Sequence, residues 1–167
     1  MTEACTYRYP IRQFLTEAGG AVTGVTFFGA PLLFVKPSSV IFLALTLVIA
    51  LFVAYGIRAM VRQRQAFRLT DAGLVRTGLN PCEISWNTLK RVRVRYYSTR
   101  RDRTSGWLQM IVDGEGKTVR VDSALIDFDD FTSKVVGKAA ECGADLDGTT
   151  IQNCLAAGIS LPQTLGG

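Results

Sequence analysis

The chain has 167 residues, a net charge of +5 and no histidine. Its length leaves room for one modest soluble core, and the absence of histidine removes the commonest general base and commonest metal ligand together. With a pI near 9.2, the expected partners are anionic lipid or acidic protein surfaces; nucleic acid is not expected.

The first apolar element runs over about residues 18–35, AGGAVTGVTFFGAPLLFV, without a charge. That is the short end of what spans a hydrocarbon core of roughly 30 Å. Pro31 lies near its end, where a membrane helix tolerates proline. After Lys36 a second uncharged stretch covers about residues 38–57, and Arg58, Arg62, Arg64 and Arg68 follow. Its polar positions are too few for one face of a buried soluble helix. The two read as a transmembrane helical hairpin, with Ser38 or Ser39 capping the second helix and Arg58, Arg62 and Arg64 as membrane-interface anchors. Gly20 and Gly24, with Ala50 and Ala54, are the small residues expected at the helix contact. Neither span holds an acid or base inside, which argues against an ion pathway. Arg8 and Arg12 precede the hairpin and four arginines follow it, against one lysine in the turn. The positive-inside rule then puts both termini in the cytoplasm.

From about residue 65 the texture changes to short alternating runs. Phe67–Thr70 and Gly73–Thr77 flank a tight turn, and Cys82–Trp86 follows. Leu89–Tyr97 alternates most cleanly, with Val92, Val94 and Tyr96 on one face and Arg91, Arg93 and Arg95 on the other. Trp107–Val112 and Lys117–Val121 bracket Asp113-Gly114-Glu115-Gly116, a further hairpin. The period then becomes helical: Asp127 caps a helix whose inward face is Phe128, Phe131, Val135, Ala139 and Cys142. These elements predict an α+β membrane protein: segment and hairpin over 1–64, a small antiparallel β barrel or curved sheet closed by an amphipathic helix over 65–143, and a tail over 144–167. In the tail, Thr149 or Thr150 caps a short helix that is either a strip on its own domain or a docking arm.

The segments FRLTDAGL and EISWNTLKRVRV, followed by two strands and a helix opening FDDF, resemble the bacterial pleckstrin-homology-like domains, which commonly follow a pair of transmembrane helices. The matching positions are Leu69, Thr70, Gly73, Leu74, Ile84, Trp86, Leu89, Val92, Phe128 and Phe131. The resemblance implies a cytoplasmic, sheet-based interaction module at the bacterial inner membrane, usually with seven strands; six are read here. In the eukaryotic relatives, basic residues around the loop joining the first two strands grip phosphoinositides. Here that loop is Thr70-Asp71-Ala72-Gly73, tight and acidic, so a specific headgroup pocket is not expected.

No catalytic or cofactor site is expected. No Walker or dinucleotide glycine loop follows a strand, and Asp127, Asp129 and Asp130 sit where a helix dipole favours acids. Cys5, Cys82, Cys142 and Cys154 show no metal-ligand spacing and read as reduced, mostly buried thiols. The functional candidate is the basic hairpin of Lys90, Arg91, Arg93, Arg95, Arg100, Arg101 and Arg103, opposed locally only by Asp102. Such a face grips lipid phosphates at about 1 kcal/mol per basic residue, docks on an acidic protein surface, or simply keeps a sheet edge from aggregating. The first expectation is a non-enzymatic accessory or assembly subunit whose partner is another integral membrane protein. The alternative is a module that binds anionic membrane lipid. A membrane enzyme with an unusual carboxylate site ranks third.

Overall fold

The computed structural model describes residues 5–98 and 106–161, which divide into a sheet unit, 5–8 with 66–98 and 106–161, and a helical unit, Tyr9–Gln65. The helical unit holds α1 (Ile11–Phe34) and α2 (Ser39–Gln63), both long and apolar enough to cross a membrane, with hydropathies of 1.2 and 2.8. Both helices outrun the uncharged stretches. The arginines after Ile57 are good helix formers and continue α2 through another turn and a half. Ser38 is the N-cap of α2 but accepts no side-chain hydrogen bond. The helix contact is narrower than the small-residue pattern implied. A Cβ on Gly24 would meet the Phe52 ring at 2.3 Å, and Gly56 lies against the Ala21 methyl. Gly20 faces open space, and Ala50 and Ala54 are exposed, so the backbones approach through Ala21, Gly24 and Gly56.

The sheet unit is mixed α/β, with two four-stranded sheets rather than a closed barrel. The first has the order β1 (Cys5–Arg8), β2 (Ala66–Leu69), β3 (Gly73–Thr77), β4 (Cys82–Ser85). The second has the order β7 (Lys117–Asp122), β6 (Trp107–Gly114), β5 (Leu89–Tyr97), β8 (Asp145–Leu146). Six of these strands are the alternating runs; β1 and β8 are additional. β1 pairs antiparallel with β2, Arg8 opposite Ala66, so the helical unit is inserted between two hydrogen-bonded neighbours. The segment before the hairpin therefore belongs to the sheet unit. β6 turns into β7 through Glu115 and Gly116, both at positive φ, the pairing a type I′ hairpin demands.

Helix α3 (Phe128–Glu141) buries Phe128, Phe131, Val135, Val136 and Ala139, joining Phe67, Leu74, Ile84, Trp86, Val92, Val94 and Met110 in one core. The Phe131 ring meets Tyr7 edge-on at 5.0 Å and Phe67 at 5.9 Å. Three expected details differ. Asp127 occupies the N-cap in a left-handed conformation without a side-chain cap. Cys142 is the exposed C-cap residue, and among the cysteines only Cys154 is buried. Tyr96 is exposed, because β5 runs past the core at that end.

The tail as far as residue 161 packs on its own domain. Asp147, not a threonine, caps α4 (Gly148–Ala156), accepting from the Thr150 N–H at 2.7 Å. The Thr150 hydroxyl accepts from the Val94 N–H at 3.1 Å, and the Asn153 amide donates to the Val94 carbonyl at 2.8 Å. Beyond the two-residue β8, α4 thus satisfies backbone groups that an unpaired strand edge would leave open.

Candidate functional site

β5 carries the basic residues, and its pairing decides what they can do. Arg91, Arg93, Arg95 and Tyr97 are the register partners of Asp113, Ile111, Gln109 and Trp107 on β6. Arg91 Nε donates to the Asp145 carboxylate of β8 at 2.5 Å, and Arg93 Nη2 to Asp113 at 2.7 Å. Burial raises the Asp113 carboxyl, but hydrogen bonds from Thr118 and Arg93 outweigh it and hold the group below the usual range. Arg93 is half-buried, with its Nε unpartnered among the described residues. Two of the three strand arginines are therefore neutralised within the domain by acids distant in sequence.

Lys90 and Arg95 are exposed and make no ion pair among the described residues; Arg100, Arg101 and Arg103 lie outside those residues. Arg95 shares a cavity of about 480 Å³ with Tyr96, Tyr97, Asp147, Thr149 and Asn153. The Asp147 carboxyl is held low by the Thr150 hydroxyl, with Arg95 and Arg93 adding attraction. Beside it, the Tyr97 and Trp107 rings stack at 5.7 Å and 20°, yet are 38 % and 46 % exposed. Among the described residues the basic strip narrows to a smaller patch: the Arg95 guanidinium, without an ion pair, beside an exposed aromatic stack. Sequence spacing gave Arg95 but not the stack, which needs the β5–β6 register.

The Thr70–Gly73 turn consumes its own polar groups. Thr70 N–H donates to the Gly73 carbonyl at 3.0 Å, Gly73 N–H to the Thr70 hydroxyl at 3.1 Å, and Trp86 Nε1 to the Thr70 carbonyl at 2.8 Å.

A second cavity, about 430 Å³, opens between this turn and α3, lined by Cys5, Leu69, Trp86, Lys134, Gly137 and Lys138 among others. At its rim the Tyr7 hydroxyl donates to Asp130 at 2.6 Å, and Lys134 donates to both at 3.1 and 2.7 Å. Burial, then the hydrogen bond to Asp130, pushes the Tyr7 phenol up from 10.0 to about 12. Asp130 is thus taken up in a structural cluster with Tyr7 and Lys134. Among the described residues no group of three His, Cys, Asp or Glu side chains is placed to hold a metal ion.

The Tyr7 shift gives a pH prediction. A raised phenol pKa stabilises the fold fully below the unfolded value of 10.0, and that contribution disappears as pH rises toward about 12. The difference in 295 nm absorbance between the wild type and Tyr7→Phe should therefore show its phenolate step near pH 12. A step near pH 10 would contradict the Tyr7–Asp130 contact.

Comparison with family models, curated proteins and solved structures yields no match.

Proposed function

We propose that this protein is a non-enzymatic, membrane-anchored interaction protein, an accessory or assembly subunit of a larger bacterial inner-membrane complex. The observation that carries the proposal is the insertion of two long apolar helices between the paired residues Arg8 and Ala66. The chain leaves for the helices after Arg8 and returns at its register partner Ala66, so in a membrane both outer helix ends lie on one side, with the turn at Lys36 on the other. This agrees with the arginine distribution, which puts the sheet domain on the cytoplasmic side. Along the helices Phe27, Leu33, Phe34, Val40, Leu47 and Leu51 are exposed. Water does not tolerate so continuous an apolar surface, whereas lipid or a neighbouring membrane helix does.

The sheet unit fits the pleckstrin-homology-like reading better than six strands did. Strands β1–β7 are seven antiparallel strands followed by the closing helix α3. In this reading the membrane hairpin interrupts the domain after its first strand. The contact surface centres on Arg95, Tyr97 and Trp107. Exposed aromatics beside arginine are the residue types that dominate protein interfaces. The self-neutralised Arg91 and Arg93 weaken the case for a purely electrostatic lipid grip. The exposed Trp–Tyr pair still favours one second reading, docking at a membrane surface, where those residues concentrate.

Purification of the full chain from mild detergent should retain a stoichiometric membrane partner. Arg95→Glu with Trp107→Ala should release it while leaving insertion intact. Arg91→Glu should instead loosen β8 from β5. If no partner is retained and the double variant loses binding to anionic liposomes, the lipid-surface reading replaces the subunit reading.

A further inference from the structure

At the end of the helical unit away from the Lys36 turn, Glu17 of α1 and Tyr55, Arg58, Ala59 and Arg62 of α2 enclose a cavity of about 360 Å³. Its position follows from the sequence: Glu17 immediately precedes the first uncharged stretch and Arg58 immediately follows the second. The cavity therefore lies where both apolar segments end. The Arg62 guanidinium is fixed inside it, paired with the Glu17 carboxylate and set over the Tyr9 ring at 5.5 Å. Arg58, one turn earlier, is exposed and has no hydrogen-bond or ion-pair partner among the described residues; the Tyr55 hydroxyl has none either. With Glu17 and Arg62 cancelling, one positive charge and two kinds of free donor face the cavity.

We propose that this cavity seats the phosphate of one anionic phospholipid, with Arg58 and Tyr55 as its donors and the Glu17–Arg62 pair as its rigid wall. The guanidinium fork matches two phosphate oxygens at once, and Tyr55 supplies a third donor. Helical spacing places Leu47, Leu51, Tyr55, Arg58 and Arg62 along one stripe of α2. Leu47 and Leu51 are exposed, which gives the acyl chain an apolar track leading to the polar end. A zwitterionic headgroup fits less well, because the acid that would receive its ammonium is already paired with Arg62. The inference rests on the membrane reading and separates three arginines otherwise equivalent as anchors: Arg58 binds, Arg62 positions, and Arg64, exposed at the C-cap of α2, does neither.

The test uses the full chain in detergent, with native mass spectrometry counting retained lipid after addition of phosphatidylglycerol, phosphatidylcholine or inorganic phosphate. Wild type should retain one phosphatidylglycerol and at least about tenfold less phosphatidylcholine. Arg58→Gln should lower phosphatidylglycerol retention at least about tenfold, and Tyr55→Phe by a few-fold, the difference between a charged and a neutral hydrogen bond. Arg64→Gln should leave it unchanged. Equal retention by wild type and Arg58→Gln overturns the site, and displacement of the lipid by millimolar phosphate overturns its assignment to a phospholipid. Alkaline carbonate extraction of membranes supplies the separate readout. Release of the wild-type chain there sinks the membrane reading itself, whereas a retained chain with no lipid preference sinks only the site.

Discussion

Replacing Tyr9–Gln65 with a four-residue turn should yield a soluble, cooperatively folding domain. Arg8 and Ala66 are register partners in adjacent antiparallel strands, so a short loop of hairpin length closes the gap without moving either strand. The shorter fragment 66–143 should fail to fold stably. It lacks β1, and with it the Tyr7 ring against Phe131 and the Arg8 carbonyl that accepts from Ile126 N–H at 3.0 Å. It also lacks α4, so both Val94 backbone groups lose their partners. The lost ring packing and three lost hydrogen bonds, each bond worth about 1 kcal/mol net, together take up much of the margin of a small domain. Circular dichroism and urea unfolding of the two proteins decide the matter. A cooperative transition in the fragment as stable as that of the joined domain would show that β1 and the tail are dispensable.

In the joined domain, Phe131→Ala should lower stability by about 3–5 kcal/mol, the range for truncating a large buried aromatic. Phe131 has no solvent exposure and is flanked by the Tyr7 and Phe67 rings. One edge-on and one tilted ring contact disappear together with the packing, which places the loss toward the upper end of that range. Trp86→Ala should fall in the same range, because that ring is buried and its Nε1 holds the Thr70 carbonyl. A loss below about 1 kcal/mol at Phe131, read as a shift of the urea midpoint with unchanged slope, would remove α3 from the core.

The elements legible in the sequence are those whose signal is local. Alternation marks the six strands β2–β7, and the spacing of Phe128, Phe131, Val135 and Ala139 marks α3, because each face meets the same core along its length. β8 carries two residues and β1 stands before the apolar helices with no turn leading to its neighbour, and both are strands only through partners far along the chain. The same distance hid the state of the basic face. Arg93 and Arg91 look unopposed along β5, but their acids come from 20 and 54 residues away. Tyr96 continues the inward alternation of Val92 and Val94 in sequence, yet the core ends before it. Alternation fixes which face a residue takes, not whether anything covers that face. The Asp147 cap is hidden for a related reason: of the two threonines placed to cap, Thr149 and Thr150, the second is instead the donor to Asp147.

The proposed function requires the two apolar helices to cross a membrane as a hairpin with both ends on the cytoplasmic side. The most direct measurement places one cysteine in the turn, Ser38→Cys, and another on the exposed hairpin of the sheet unit, Thr118→Cys, with the four native cysteines changed to alanine. In intact spheroplasts an impermeant maleimide should label the cysteine at position 38 at once and the one at position 118 only after the inner membrane is breached. The reverse pattern, or equal labelling of both sites in intact spheroplasts, would contradict the topology and the function built on it.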